Sequence, residues 1–130
     1  MFHPLAYDER NRVYLARFSG TLTDQDQVEF AIVAKALRHQ HGPVAGLQDY
    51  LGVETLAITT TQTISRGSAP PIMTGQKRAV VADGVIFGMF RMFATYQEAK
   101  GDLPPAVVRT LAEAYDVLGL IGRDFNPVPL

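Results

Sequence analysis

Apolar and polar positions alternate with a period of two at the start of the chain and with helical spacing further on, so the pattern divides the sequence into strands and helices. Phe2 to Glu9 and Val13 to Phe18 read as two strands joined at Arg10-Asn11, a hairpin. In the second strand Val13, Leu15 and Arg17 share one face, and Tyr14, Ala16 and Phe18 share the other. Ser19-Gly20-Thr21 is expected to end it. Thr23 or Asp24 then caps a helix to about His39, whose inward stripe is Phe30, Val33, Ala34 and Leu37. Gly42-Pro43 stops that helix, and Val44 to Tyr50 reads as a third, central strand. From Gly52 to Gly75 the pattern weakens; a short helix is expected between Thr59 and Ser68, ended by Pro70-Pro71.

The stretch from Lys77 to Ala99 organises the rest. Ala79 to Ala82 is short, apolar and β-prone, the pattern of a strand covered on both faces. Asp83 is expected to cap a helix that starts at once. At 100° per residue, the apolar side chains from Val85 to Tyr96 sweep about two-thirds of the helical circle, leaving only Gly88, Arg91 and Thr95 for the rest. A helix lying on one sheet face needs about a third of its circumference apolar. The surplus must be covered by the chain's own Gly52–Gly75 segment, by a second copy, or by an apolar ligand or membrane.

Beyond it, Ala106 to Arg109 reads as a last short strand and Thr110-Leu111-Ala112-Glu113 as a capping box. The helix behind the box would bury Leu111, Ala114, Tyr115 and Leu118 and end at Gly119. Residues 126–130 are expected to be an extended, mobile tail. The order predicts one α/β domain over residues 1–125, a mixed sheet of about five strands with an N-terminal hairpin and about four helices.

Composition changes this picture little. The 130 residues suit one domain with a real core. A net charge of -1 without a basic stripe argues against nucleic acid as partner. The absence of cysteine removes disulfides, thiol nucleophiles and thiolate metal sites, and suits a cytoplasmic protein. The N-terminus lacks the pattern of a signal peptide, and no apolar run approaches the ~20 residues of a membrane span.

The order of elements resembles the STAS family, specifically its SpoIIAA-like branch, whose shape is compared with CRAL-TRIO lipid carriers. Val13 to Thr23 is similar to its strand, glycine and helix entry; Leu47 to Val53 resembles its "Asp-Leu-Ser-Gly-Val" turn. Gly88 to Phe93 is similar to its hydrophobic "Gly-x-x-Arg-x-Phe" helix, and Val107 to Gly119 to its closing stretch, with Val117 where tryptophan is usual. The resemblance implies a regulatory or lipid-associated binding domain. It does not carry over the phosphorylation switch, because the family's phosphoacceptor position falls on Ala57-Ile58-Thr59, without the aspartate or the serine.

Candidate chemistry is sparse. His39 and His41 lie two apart at a helix end and His3 near the terminus, with no third metal ligand supplied. Asp24, Asp26 and Glu29 cluster where they answer a helix dipole. Gly84-x-x-x-Gly88 would let a neighbouring backbone approach. Arg91 either lies over its own helix or anchors a carboxylate or lipid headgroup at the mouth of an apolar cleft. The candidate site is therefore Phe87, Met89, Phe90, Arg91, Met92 and Phe93. The expectation is a non-enzymatic domain with no metal or cofactor, using this face for a protein partner or homodimer, or else for an apolar ligand such as a fatty acid or a membrane surface. In the first case a charge at Phe90 would disperse a dimer.

Overall fold

A computed structural model describes residues 1–70, 72–73 and 75–128. The chain runs β1 (Ala6–Asp8), β2 (Val13–Thr23), α1 (Asp24–His41), β3 (Ala45–Ala57), α2 (Thr60–Ser68), β4 (Arg78–Val81), α3 (Gly84–Ala99), β5 (Ala106–Val108), α4 (Leu111–Leu118) and β6 (Asn126–Pro127). It is a single α/β domain with a mixed sheet of order β5-β4-β3-β2-β1-β6. β2 to β5 are parallel neighbours, and β1 is antiparallel to both β2 and β6.

Each crossover from β2 to β5 steps one strand in the same direction. Crossovers of one hand therefore carry α1, α2 and α3 over the same sheet face. There Tyr14, Ala16, Phe18, Tyr50 and Val80 pack against Phe30, Ala34, Leu37, Ile86 and Phe90. The other face carries Leu15, Leu47, Ala79 and Val81 beneath Ala114 of α4. The two-face assignment of β2 read from its alternation holds.

Several expectations need correction. The sheet has six strands among the described residues, because Asn126 and Pro127 pair with Tyr7 and Ala6 rather than forming a free tail. The Val128 N–H donates to the Leu5 carbonyl, 2.9 Å; Pro129 and Leu130 lie outside the described residues, as does Pro71 of the predicted helix stop. β1 is shorter than Phe2–Glu9, and Phe2 makes only an isolated bridge to Phe18. β2 does not end at Ser19-Gly20-Thr21. Gly20 adopts φ +64°, its lack of a Cβ absorbing an irregularity in the ladder, and pairing continues to Thr23 opposite Ala57.

Caps were legible but not always as drawn. Thr23 and Asp26 form a reciprocal capping box on α1, and Thr59 and Gln62 form another on α2. At α4 the Thr110 hydroxyl accepts the Glu113 N–H at 3.1 Å, yet it also donates to the Glu113 carboxylate, so the box is not reciprocal. Asp83 occupies the cap of α3 without a side-chain cap hydrogen bond.

Two buried carboxylates secure the N-terminal edge. Asp8 accepts from the Asn11 N–H (3.0 Å), the Asn11 side-chain amide (2.7 Å) and the Asp124 N–H (3.0 Å). Asp26 accepts from the backbone of Phe2 and Thr23. Burial pushes both carboxyls up, but the hydrogen bonds outweigh it and hold them below the usual carboxylate range. A depressed folded-state pKa contributes stability that is complete above the unfolded value, about 4, and is lost as pH falls through the folded one. Urea midpoints are therefore expected to drop below about pH 4, and Asp8→Asn is expected to blunt that drop.

Candidate functional site

Most of the surplus apolar face of α3 is at least partly covered: Ile86 and Phe90 are buried, and Phe87, Met89, Met92 and Phe93 are half-buried. Residues 85–96 are helical, and α2, from within the Gly52–Gly75 segment, lies against α3. The approach is close because of Gly67: a Cβ there would stand 2.9 Å from Tyr96 Cβ and 3.1 Å from the Phe93 carbonyl. Of the large apolar residues of α3, Val85 (76% exposed) and Tyr96 (37%) remain outside. Gly84 and Gly88, expected to admit a neighbouring backbone, face open space.

Between α1, α2, α3 and the sheet lies a cavity of about 360 Å³. Phe30, Ile58, Met73, Met89, Phe90 and Phe93 form its apolar wall. Its floor is the sheet, where register dictates composition. Tyr14 stands opposite Gly46, and Gly46 opposite Arg78, across three adjacent strands. The missing side chain at Gly46 lets the Tyr14 ring lie across β3 toward Arg78; a Cβ there would fall 2.1 Å from Tyr14 Cζ and 2.3 Å from its hydroxyl. One rung further along, Gln48 reaches the Tyr50 hydroxyl at 3.3 Å, which Gln27 meets from α1 at 3.2 Å.

Four cations and one carboxylate line this space. Arg66 of α2 chelates Asp24 of α1 through two hydrogen bonds, 3.1 and 3.0 Å, tying two walls together. Lys35 and Arg38 stand exposed, Arg38 donating to the Ile72 carbonyl at 2.8 Å. Arg78 is held by the Gln97 side-chain carbonyl (2.5 Å) and the Leu103 carbonyl (2.9 Å). Burial lowers the Arg78 pKa, opposed by Tyr14 and Asp102, but a guanidinium stays charged. Burial pushes the Tyr14 hydroxyl up to about 12, Arg78 opposing, so it remains a protonated donor at neutral pH. The Asp24–Arg66 pair is half-exposed, so Asp24→Asn is expected to cost no more than about 1 kcal/mol in chemical denaturation.

Sequence reasoning named Phe87, Met89, Phe90, Arg91, Met92 and Phe93, and the structure divides them. Met89, Phe90 and Phe93 line the cavity. Phe87 faces elsewhere, its ring beneath Arg109 (3.9 Å to the centroid) and beside Arg91 (5.8 Å). Arg91 lies exposed over its own helix and does not line the cavity, nor does Met92. The positive charges at the cavity are instead Arg66, Arg78, Arg38 and Lys35; the sequence offers the last two only as cations suited to a helix end and does not single out Arg66 or Arg78. The Gly46–Arg78 register was the missing signal. Asp24 and Asp26 do more than answer a dipole, since one binds Arg66 and the other the chain start. His41 stacks on Tyr7 at 4.5 Å and His3 meets the Ser19 hydroxyl at 2.6 Å, and among the described residues no cluster of three metal-ligating side chains occurs.

Among the described residues no helix is long and apolar enough to cross a membrane. In comparisons with known proteins, no family model matches the chain and no curated protein matches it.

Proposed function

We propose that the chain is a non-enzymatic binding domain of STAS-like type that holds a small apolar molecule in the cavity beneath α1, α2 and α3. The observation that carries this reading is the cavity itself, about 360 Å³, with an apolar wall, a polar floor and further charged side chains around it. Its volume falls within the range of about 300–1,000 Å³ typical of ligand pockets. The cover that α2 and the sheet give α3 supports a ligand over a protein partner, because only Val85 and Tyr96 of its large apolar side chains are exposed and Phe87, Met89, Met92 and Phe93 are half-buried.

The STAS-like part of the reading is supported by element order: an N-terminal hairpin, then helices and strands in alternation. Thr59, at the position of the family's phosphoacceptor, is engaged as the cap of α2 through its hydroxyl, 3.1 Å from the Gln62 nitrogen, so no phosphorylation switch is proposed.

At about 30 Å³ per heavy atom the cavity holds about a dozen non-hydrogen atoms. Taking roughly 0.5 kcal/mol per atom, within the range for small ligands, binding is about 6 kcal/mol, a dissociation constant of some tens of micromolar. Titration with the fluorophore 1-naphthol, which is of that size, tests this. Wild type is expected to bind it with that affinity. Ala31→Trp, which fills the cavity from the outer wall of α1, is expected to weaken binding at least tenfold while melting normally. Equal binding by both proteins would place the dye elsewhere and defeat the reading.

A further inference from the structure

We infer that the floor of the cavity contains an oxyanion-binding site formed by Tyr14, Arg78 and Gln97, and that the ligand is an apolar monocarboxylic acid of about ten carbons. The inference rests on the cavity being a binding site and adds the chemistry of the ligand's head.

Three observations converge. Tyr14 is 2% exposed and borders the cavity, and among the described residues no side-chain hydrogen bond engages its hydroxyl. A phenolic O–H placed so is a donor open to a ligand. Arg78 brings a positive charge to the same floor, yet its hydrogen bonds go to two neutral carbonyls, of Gln97 and Leu103. The acid that acts on it, Asp102, is paired with Lys100 at 2.7 Å. Gln97 is 2% exposed; its carbonyl accepts from Arg78, so its amide is a further donor at the cavity. A hydroxyl, a guanidinium and an amide, all donors, match one carboxylate.

The other cations fit this role less well. Arg66 is already neutralised by Asp24, and Lys35 and Arg38 stand in solvent, where a charge pair contributes little. Volume sets the rest of the ligand, since about a dozen non-hydrogen atoms is a carboxylate on a chain of about ten carbons. Such a molecule places its head on the floor and its chain against Phe30, Met73, Met89 and Phe93.

The test compares decanoate with decan-1-ol by calorimetry at pH 7.5, in wild type, Tyr14→Phe, Arg78→Gln and Arg91→Gln. Tyr14→Phe keeps the ring over Gly46 and removes only the hydroxyl, so the experiment does not depend on Arg78→Gln folding. Decanoate is expected to bind wild type at least tenfold more tightly than the alcohol. That ratio should fall below threefold in Tyr14→Phe and Arg78→Gln and persist in Arg91→Gln. Equal binding of acid and alcohol to wild type would overturn the oxyanion site and leave the cavity reading intact. A preference that survives both floor variants would also overturn it, by placing the anion at the rim. Binding of neither probe would overturn both readings.

Discussion

Replacing Phe90 with aspartate is expected to unfold the chain rather than to separate two copies of it. Phe90 is 6% exposed, its ring 4.4 Å from that of Tyr50 and 6.1 Å from that of Phe93. Truncating a buried phenylalanine costs about 3–5 kcal/mol, and an unpaired carboxylate in the same place adds a desolvation penalty. Two cations that line the same cavity, Arg66 and Arg78, already hold Asp24 and Gln97. A loss of about 5 kcal/mol approaches the whole stability of a marginal domain. Far-UV circular dichroism should show either no cooperative transition or a melting temperature lower by about 15 °C or more. A variant that melted like wild type but sedimented at half the mass would instead place Phe90 at a subunit interface.

Gly46→Ala is expected to be nearly as damaging, although it adds one methyl group. That carbon would overlap the Tyr14 ring, 2.1 Å from Cζ and 2.3 Å from the hydroxyl oxygen. The ring has little room to retreat, since Tyr14 is 2% exposed and packs 5.8 Å from Phe30. Overpacking of this kind costs about 1–3 kcal/mol, and the upper end applies where the neighbour is a rigid ring. A melting temperature lower by about 10 °C follows for a domain of this size. The cause is isolated by a double-mutant cycle. Shortening the ring with Tyr14→Leu in the Gly46→Ala background should recover at least half of the loss, giving a coupling above about 1 kcal/mol. No coupling would mean that the penalty lies in the backbone and not in the ring.

Both cases show where the sequence was legible and where it was not. The alternation of Val13 to Phe18 and the helical stripe of Phe30, Ala34 and Leu37 report burial directly, because each lies on an element with one covered face. The short helix between Thr59 and Ser68 was readable only from the proline pair that follows it, and the structure adds the capping box that starts it. The extension of β2 past Gly20 was not readable. Glycine after serine suits a strand end and an irregularity within a strand alike, and the parallel partner β3 decides between them. β6 was hidden for a related reason: two residues carry no period, and only β1, more than a hundred positions away, gives them a ladder.

The candidate site was half legible. Periodicity identified α3 as greasier than its sheet requires, and Met89, Phe90 and Phe93 do line the cavity. It could not tell which arc α2 would cover, so Phe87, Arg91 and Met92 entered with them. The polar floor was invisible for a stronger reason. Tyr14, Gly46 and Arg78 lie on three different strands, and their meeting is a fact of register between β2, β3 and β4. Tyr14 alone reads as core, Gly46 as a weak strand position and Arg78 as a strand end.

The four methionines provide the most direct measurement of whether the cavity binds its ligand. Met73 and Met89 line it, whereas Met92 on the same helix and Met1 at the chain start do not. In protein labelled with carbon-13 at the methionine methyls, titration with decanoate should shift the Met73 and Met89 signals together, with one saturating midpoint, and leave Met1 and Met92 in place. Shifts confined to Met92 or Met1, or four signals unmoved at millimolar decanoate, would contradict an interior binding site.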